Sequence, residues 1–226
     1  ARQSRRLLGP TATAVRPDGI EQDDQFGPST SGEGRSRWIF RAVDAGTNAQ
    51  GGSLTDSATP LHLTAAENLA RGLTAITAMC EQVCEESASV RPDDDSWSLN
   101  EILGHLIDEE REDFRSRIEL LLQDPCEEWP AIDPENWVEE REYRNQSLRE
   151  LLRLFQDERH RSIAWLRSLD DPDWYLEKEH PAGLLRAGDL LLSWVAHDLA
   201  HLRQIALWHL SLNAKGFEPF QDDYAF

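Results

Sequence analysis

The chain has 226 residues, of which 42 are acidic and 23 are basic, so its formal net charge is −19. Hydrophobic residues make up 39% and charged residues 29%, which is typical of a soluble globular protein. This acidity argues against a nucleic-acid backbone or an anionic lipid surface as partner, and no apolar run approaches the ~20 residues of a membrane helix. The N-terminus lacks a secretory-signal pattern and three cysteines are too few for a disulfide framework, so we expect a reduced, cytoplasmic protein.

Charge and composition divide the chain into two regions. Residues 1–60 hold seven Arg and seven acidic residues, together with half of the 24 glycines and prolines. This region lacks sustained periodicity and cannot bury enough apolar surface to offset chain entropy. We therefore predict a disordered leader over residues 1–60 and a folded domain over residues 61–226, which carries the whole net charge.

The folded region opens with an amphipathic helix from Leu61 onward. Its apolar residues recur at spacings of four and three, at Leu69, Leu73, Ile76, Cys80 and Val83. Thr64 and Glu67 have the spacing of a capping box. Cys80 and Cys84 lie one helical turn apart beside apolar neighbours, so both are expected as small buried side chains.

Three more helices are predicted, over about residues 98–124, 147–169 and 187–212. The second opens with Ser98 and Glu101, again at capping-box spacing, and each segment carries an apolar stripe. Aspartate- and proline-containing turns end the second and third segments. Because no segment shows strand-like alternation, the sequence predicts an all-α fold, an up-down-type four-helix bundle.

His197 and His201 are the informative histidines among the seven in the chain. Positions four apart on a helix differ by only about 40° in direction, so both rings project from one face. The same face carries apolar residues expected in the core: Leu190, Trp194, Ile205 and Trp208. Two interpretations stay open: the pair binds a metal, or one ring is hydrogen-bonded in the core while the other lies at its rim.

A helical pair needs a third ligand, and His105 on the second helix is the candidate. It flanks the apolar stripe of that helix, so the alternative is a half-exposed polar residue. Glu109 follows one turn later and could be a further oxygen ligand or an acceptor for an imidazole N–H. We favour a simpler interpretation, in which Glu109 belongs to a solvated acidic run over residues 108–113.

Two separated motifs resemble the DinB/YfiT-like family of metal-dependent enzymes. Residues 97–106, Trp-Ser-Leu-Asn-Glu-Ile-Leu-Gly-His-Leu, are similar to its second-helix signature, and residues 180–183 with residues 197–205 are similar to its loop and fourth helix. The resemblance extends over residues 61–226. It implies a four-helix bundle whose metal ligands correspond to His105, His197 and His201. Asp198 matches the family's His-Asp position, where we favour a helix-packing role over ligation.

The resemblance implies a divalent transition metal, zinc or nickel, at this site. Three imidazoles with an open position form a catalytic arrangement, in which the metal activates either water or a low-molecular-weight thiol such as bacillithiol or mycothiol. The expected function is thus a metal-dependent hydrolase or thiol S-transferase acting on a small molecule, and a homodimer is compatible with it. His180 either approaches the open side of the site or is a surface-loop residue. The alternative function is a non-enzymatic acidic helical module that binds a basic partner or acts as a stress-associated dimer, with the metal absent or structural. The acidic run over residues 108–113 and the pair Glu139-Glu140 motivate it.

Overall fold

The computed structural model describes residues 59–181 and 183–224, so all but the last two residues of the predicted leader lie outside the described residues. In chain order these residues form helices α1 (Leu61–Cys80), α2 (Glu85–Ala88) and α3 (Leu99–Asp108), a π-helical segment (Glu109–Phe114), helices α4 (Arg115–Gln123) and α5 (Pro134–Glu140), a 3-10 turn (Tyr143–Asn145), helix α6 (Leu148–Ser168), strands β1 (Glu177–His180) and β2 (Gly183–Arg186), and helix α7 (Ala187–Gly216).

The predicted four-helix bundle is confirmed. Its first member is α1, and its second is the continuous rod formed by α3, the π-helical segment and α4. The third and fourth members are α6 and α7. Helix α1 packs against α6 and α7, while α3 packs against α6 and α4 packs against α7. The core lies between these helices, and the predicted core tryptophans Trp194 and Trp208 are both buried. None of the helices that the structure describes is long and apolar enough to cross a membrane.

Side-chain caps fix where the second and third bundle helices begin. The predicted capping box of α3 is present: the Ser98 hydroxyl accepts the backbone N–H of Glu101, and the Glu101 carboxylate accepts the backbone N–H of Ser98 at 2.7 Å. Ser147 caps α6 in a similar way. The box predicted at Thr64 is wrong, because α1 already starts at Leu61 behind Pro60 and Thr64 lies inside the helix.

The connections differ most from the prediction. Helix α1 ends at Cys80, which is buried, whereas Cys84 is exposed and precedes the short helix α2, so the expectation of two buried cysteines is half wrong. The expectation of no strands is also wrong, because β1 and β2 form a two-stranded antiparallel hairpin before α7. Each strand of the hairpin has only four residues, which is too short to give a clear alternating pattern in the sequence.

Candidate metal centre

His197 and His201 lie one turn apart on α7, and both face the interior of the bundle. Their Nε2 atoms are 3.1 Å apart, and their ring centroids are 4.3 Å apart with the rings edge to face. The exposed fraction of His201 is only 8%. His197 is half-buried, whereas His201 is buried, so exposure alone does not decide between the two interpretations; both rings nevertheless converge on one point.

His105 reaches the same point from α3. Its Nε2 atom lies 3.2 Å from the Nε2 atom of His197, and its exposed fraction is 7%, so it is not the half-exposed residue of the alternative interpretation. The ligand atoms of the three histidines all lie within 4.8 Å of one another. The structure thus brings together the three residues that the sequence predicted as ligands; their binding of a metal stays a prediction.

The donor set suits a cation better than it suits a hydrogen-bonded cluster. His201 Nδ1 lies 2.7 Å from Oε1 of Gln204, so Nδ1 carries the proton and the lone pair of Nε2 points into the cluster. The Nε2 atom of His197 faces Nε2 of His105 on one side and Nε2 of His201 on the other. It holds either one proton or one lone pair, so it cannot form a good hydrogen bond with both. A tetrahedral zinc ion with Zn–N bonds of about 2.0 to 2.1 Å places its nitrogen ligands about 3.3 Å apart. The observed separations of 3.2 and 3.1 Å are close to that value.

Burial keeps the three imidazoles neutral, which is the form that binds metals. It lowers the pKa of His105 to about 3, with a further contribution from the neighbouring His201. Burial is also the largest cause of the lowered pKa of His197 and of His201. Gln204 opposes the shift at His201, because its carbonyl oxygen accepts a proton from the ring. No proton therefore competes for these nitrogens near neutral pH.

Aromatic rings surround the cluster. The ring of Trp97 lies 5.0 Å from that of His105, and the ring of Phe114 lies 5.2 Å from that of His197. Phe114 also stacks on Trp194 at 5.9 Å. Of these three aromatic residues, the sequence predicted only Trp194 on the face of the histidine pair.

The acidic run over residues 108–113 is not the solvated surface that we expected. Asp108, Glu109 and Glu110 are all buried, and the last five residues of the run lie in the π-helical segment. Arginines on other elements neutralise part of this charge: Arg141 bonds the Asp108 carboxylate, and Arg159 bonds that of Glu110. The sequence alone could not show these pairings, because the partners lie 33 and 49 residues away.

Glu109 does not join the histidine cluster among the described residues. Its carboxyl group is hydrogen-bonded to that of Asp113, and burial together with Asp113 raises the pKa of Glu109 to about 9. A carboxyl group that is protonated at neutral pH is a proton donor and a poor metal ligand. Glu109 is therefore placed as a neighbour of the site one turn after His105, on the same helical rod.

Asp198 has the packing role that the sequence favoured. Its carboxylate accepts two bonds from the guanidinium of Arg159 on α6, so it points away from the histidine nitrogens. Sequence reasoning did not single out Arg159 or Glu110. Arg159 lies four residues from both Phe155 and Ile163 on the apolar stripe of α6, and this core-face position is the local signal that could have found it.

The other histidines lie elsewhere. His180, on β1, contacts Trp129 at a ring distance of 5.8 Å and contributes to the electrostatic surroundings of Asp113. It therefore belongs to the hairpin and its neighbours, outside the cluster of three. His209 Nε2 donates to the carbonyl of Met79 at 2.8 Å, and His160 is exposed on α6.

A family model described as the DinB superfamily matches residues 68–205 of this chain, well over half of its length. The chain belongs to this superfamily. No curated protein matches it. The match includes the whole of the candidate site, from His105 to His201.

Two solved structures share the fold. YfiT from Bacillus subtilis, "a probable metal-dependent hydrolase with an unusual four-helix bundle topology", is 18% identical, with a TM-score of 0.60 over 75% of this chain and 95% of its own. A mycothiol-dependent maleylpyruvate isomerase is 17% identical, with a TM-score of 0.52 over 66% of this chain and 62% of its own. The chain thus spans less than two thirds of the isomerase. At these identities the likeness establishes the fold alone.

Proposed function

We propose that this protein is a metal-dependent enzyme whose zinc or nickel ion is held by His105, His197 and His201. The observation that carries the proposal is the convergence of three imidazole nitrogens from two helices, those of the buried His105 and His201 and of the half-buried His197, with Nδ1 of His201 directed outward to Gln204. Burying three neutral rings against one another without a shared cation leaves their lone pairs unsatisfied, which costs free energy.

A divalent ion held by these three nitrogens would lower the pKa of a water or a thiol bound to it and so supply a nucleophile near neutral pH. The chain's own residues provide the rest. The three imidazoles stay neutral because they are buried. Trp97 and Phe114 pack against the imidazole rings. Glu109, one turn after His105, holds a proton that it shares with Asp113.

Two reaction classes are supported, and they differ in what the ion activates. The likeness to YfiT favours hydrolysis by an activated water, and the likeness to the mycothiol-dependent isomerase favours use of a low-molecular-weight thiol. Part of the motivation for the non-enzymatic acidic module is lost, because Asp108, Glu109 and Glu110 are buried, whereas Glu139 and Glu140 are exposed. A small-molecule substrate, a cytoplasmic location and the absence of nucleic-acid or membrane partners stay predictions.

Metal analysis of untagged protein tests the proposal. The wild type should purify with, or take up, about one equivalent of zinc or nickel per chain, and His105→Ala should lose most of it. His160→Ala is the matched control, because this histidine is exposed on α6 and should leave metal content unchanged. Wild-type protein that takes up less than about a tenth of an equivalent of either metal would refute the proposal.

The loaded protein then separates the two reaction classes. A thiol-transferase should consume bacillithiol or mycothiol in the presence of an electrophile, and His105→Ala should abolish this consumption. A hydrolase should cleave ester or amide substrates without added thiol. Activity of either kind that survives in His105→Ala would show that the histidine site does not carry it.

A further inference from the structure

The outer side of α7 is apolar, although the surface of an amphipathic helix normally carries charged residues. Four leucines on this helix are exposed, by 69%, 64%, 48% and 37% of their surface: Leu192, Leu199, Leu207 and Leu210. Between residues 190 and 214 there are only two acidic or basic residues, of which Asp198 is buried and Arg203 is exposed. Single exposed leucines are ordinary, whereas several along one helix form a continuous patch of the kind found at contact surfaces.

The exposed residues follow the spacing of a helix that packs against another helix. Alternating intervals of four and three residues connect a set that we call the α7 stripe: Leu192, Ala196, Leu199, Arg203, Ala206 and Leu210. This spacing is the a/d pattern of successive heptads. All members of the set are exposed except Ala196, which is half-buried. At 1.5 Å per residue the α7 stripe is about 27 Å long, so a second helix can pack along it over several turns.

The α7 stripe lies on the opposite side of the helix from the histidine pair. Leu199 is two residues from both His197 and His201. Each residue turns the helix by about 100°, so Leu199 points about 200° away from both rings. The α7 stripe is therefore a surface separate from the candidate metal centre, and its occupancy does not depend on a bound metal.

The charge of the protein restricts what can pack on the α7 stripe. With a net charge of −19, two copies of the chain repel each other over most of their surface. They can approach each other where exposed acidic side chains are absent, and the stripe contains none. A basic partner would instead be drawn to exposed acidic positions such as Glu139 and Glu140. The charges therefore favour a second copy of this chain as the occupant.

The charges towards the two ends of α7 favour an antiparallel pair of helices. In a parallel pair with two-fold symmetry, Asp189 would face Asp189 of the partner subunit, and Arg203 would face Arg203 of the partner subunit. Like charges that face each other across an interface are unfavourable. An antiparallel pair brings the Asp189 end of each helix to the end of the other helix that carries Lys215. This contact occurs twice, as a two-fold interface requires.

The sizes of the side chains fit the same arrangement. Full antiparallel overlap of the α7 stripe places the two-fold axis near position 201, half-way between Leu192 and Leu210. Leu192 then lies beside Leu210 of the partner subunit, and Ala196 lies beside Ala206 of the partner subunit. The leucines fill the space at the two ends of the stripe, and the alanines between them let the helices approach closely.

We propose that the α7 stripe is the interface of a homodimer, in which the α7 helices of two copies pack antiparallel around a two-fold axis near position 201. The interface is small, because a standard interface uses about 20 to 30 residues from each partner and one side of a single helix provides fewer. The dimer should therefore dissociate in the micromolar range, and its population should depend on protein concentration.

Sedimentation velocity of the full chain from about 1 to 300 µM measures this equilibrium. The wild type should be largely monomeric at the lowest concentration and largely dimeric at the highest. Leu192→Glu places a negative charge in the α7 stripe and should raise the dissociation constant at least about tenfold. Leu61→Glu is the matched control, because Leu61 is 57% exposed on α1 and the substitution adds the same charge. Its dissociation constant should stay within about twofold of the wild type. If Leu192→Glu does not fold, Leu199→Glu replaces it under the same criterion.

Wild-type protein that stays monomeric at about 300 µM would mean that the stripe does not bind a second copy, and it overturns the proposal. Equal dissociation constants for Leu192→Glu and Leu61→Glu overturn it as well, because the dimer then forms through another surface. The orientation is tested by disulfide formation in a chain whose two exposed cysteines, Cys84 and Cys126, are replaced by serine. A mixture of Leu192→Cys and Leu210→Cys proteins should cross-link faster than either protein alone. If either protein alone cross-links as fast as the mixture, the antiparallel arrangement is wrong.

Discussion

The bond between His201 and Gln204 is the contact most open to a decisive perturbation. Gln204→Leu removes the Oε1 atom that accepts the Nδ1 proton at 2.7 Å and keeps a side chain of similar size. The Nδ1 proton then has no hydrogen-bond partner, and water cannot easily replace it because only 8% of the surface of His201 is exposed. It can move to Nε2, which occupies the lone pair that points into the cluster.

The magnitude follows from these two consequences. Leaving one buried donor unsatisfied costs about 1 to 3 kcal/mol of stability in the metal-free protein. Loss of an outer partner of a ligating histidine weakens metal binding by about 10- to 100-fold, which corresponds to about 1.4 to 2.8 kcal/mol. Gln204→Glu should instead bind zinc at least as tightly as the wild type, because a carboxylate accepts the same proton more strongly.

Chelator competition measures the affinities, and urea unfolding of the metal-free variants measures the stabilities. Gln156→Leu is a matched control, because this glutamine lies on α6 and makes only a 3.4 Å contact with Thr77, away from the histidines. A zinc affinity of Gln204→Leu within about twofold of the wild type would refute the argument that Gln204 sets the tautomer of His201.

Two further predictions concern the helix that carries His105. Gly104→Ala should lower the free energy of unfolding by about 1 to 3 kcal/mol, because the new Cβ atom overlaps with the ring of Tyr143. Gly216→Ala is the control and should leave the free energy of unfolding unchanged, because a Cβ atom there has no neighbour within 4 Å. Equal urea midpoints for the two variants would contradict this prediction. Glu109 has a folded-state pKa raised to about 9, above its unfolded value, so its stabilising contribution is lost as pH rises towards that value. The free energy of unfolding of Glu109→Gln should therefore rise relative to that of the wild type between pH 5 and pH 8, by up to about 1.4 kcal/mol per pH unit. Urea unfolding at several pH values measures this difference, and a difference that does not change with pH would count against the raised pKa.

Local sequence signals were sufficient for much of the fold. The apolar stripes predicted four helices, and the structure confirms the four-helix bundle, with the ends of α6 and the start of α7 close to the predicted positions. The capping box at Ser98 was readable because it is made within four residues. The similar spacing at Thr64 misled, because Pro60 already begins α1 one turn earlier.

Much of the candidate site could also be predicted from local sequence patterns. His197 and His201 share a face by helical period alone, and the resemblance to a family added His105. The local pattern could not show that Nε2 of His197 lies 3.2 Å from that of His105 and 3.1 Å from that of His201, nor that Gln204 contacts Nδ1 of His201. Both facts depend on how α3 and α7 are rotated against each other.

Periodicity and composition are local properties of a chain, so the helices, the histidine face of α7 and the net charge of residues 61–226 could be predicted without the fold. The role of the acidic residues could not, because it depends on contacts between distant helices. Asp108 and Glu110 looked like surface charges in sequence, yet both are buried against arginines more than 30 residues away. Pairings between distant charges are set by the packing of whole helices, and a charged side chain carries no local mark of the partner that will bury it.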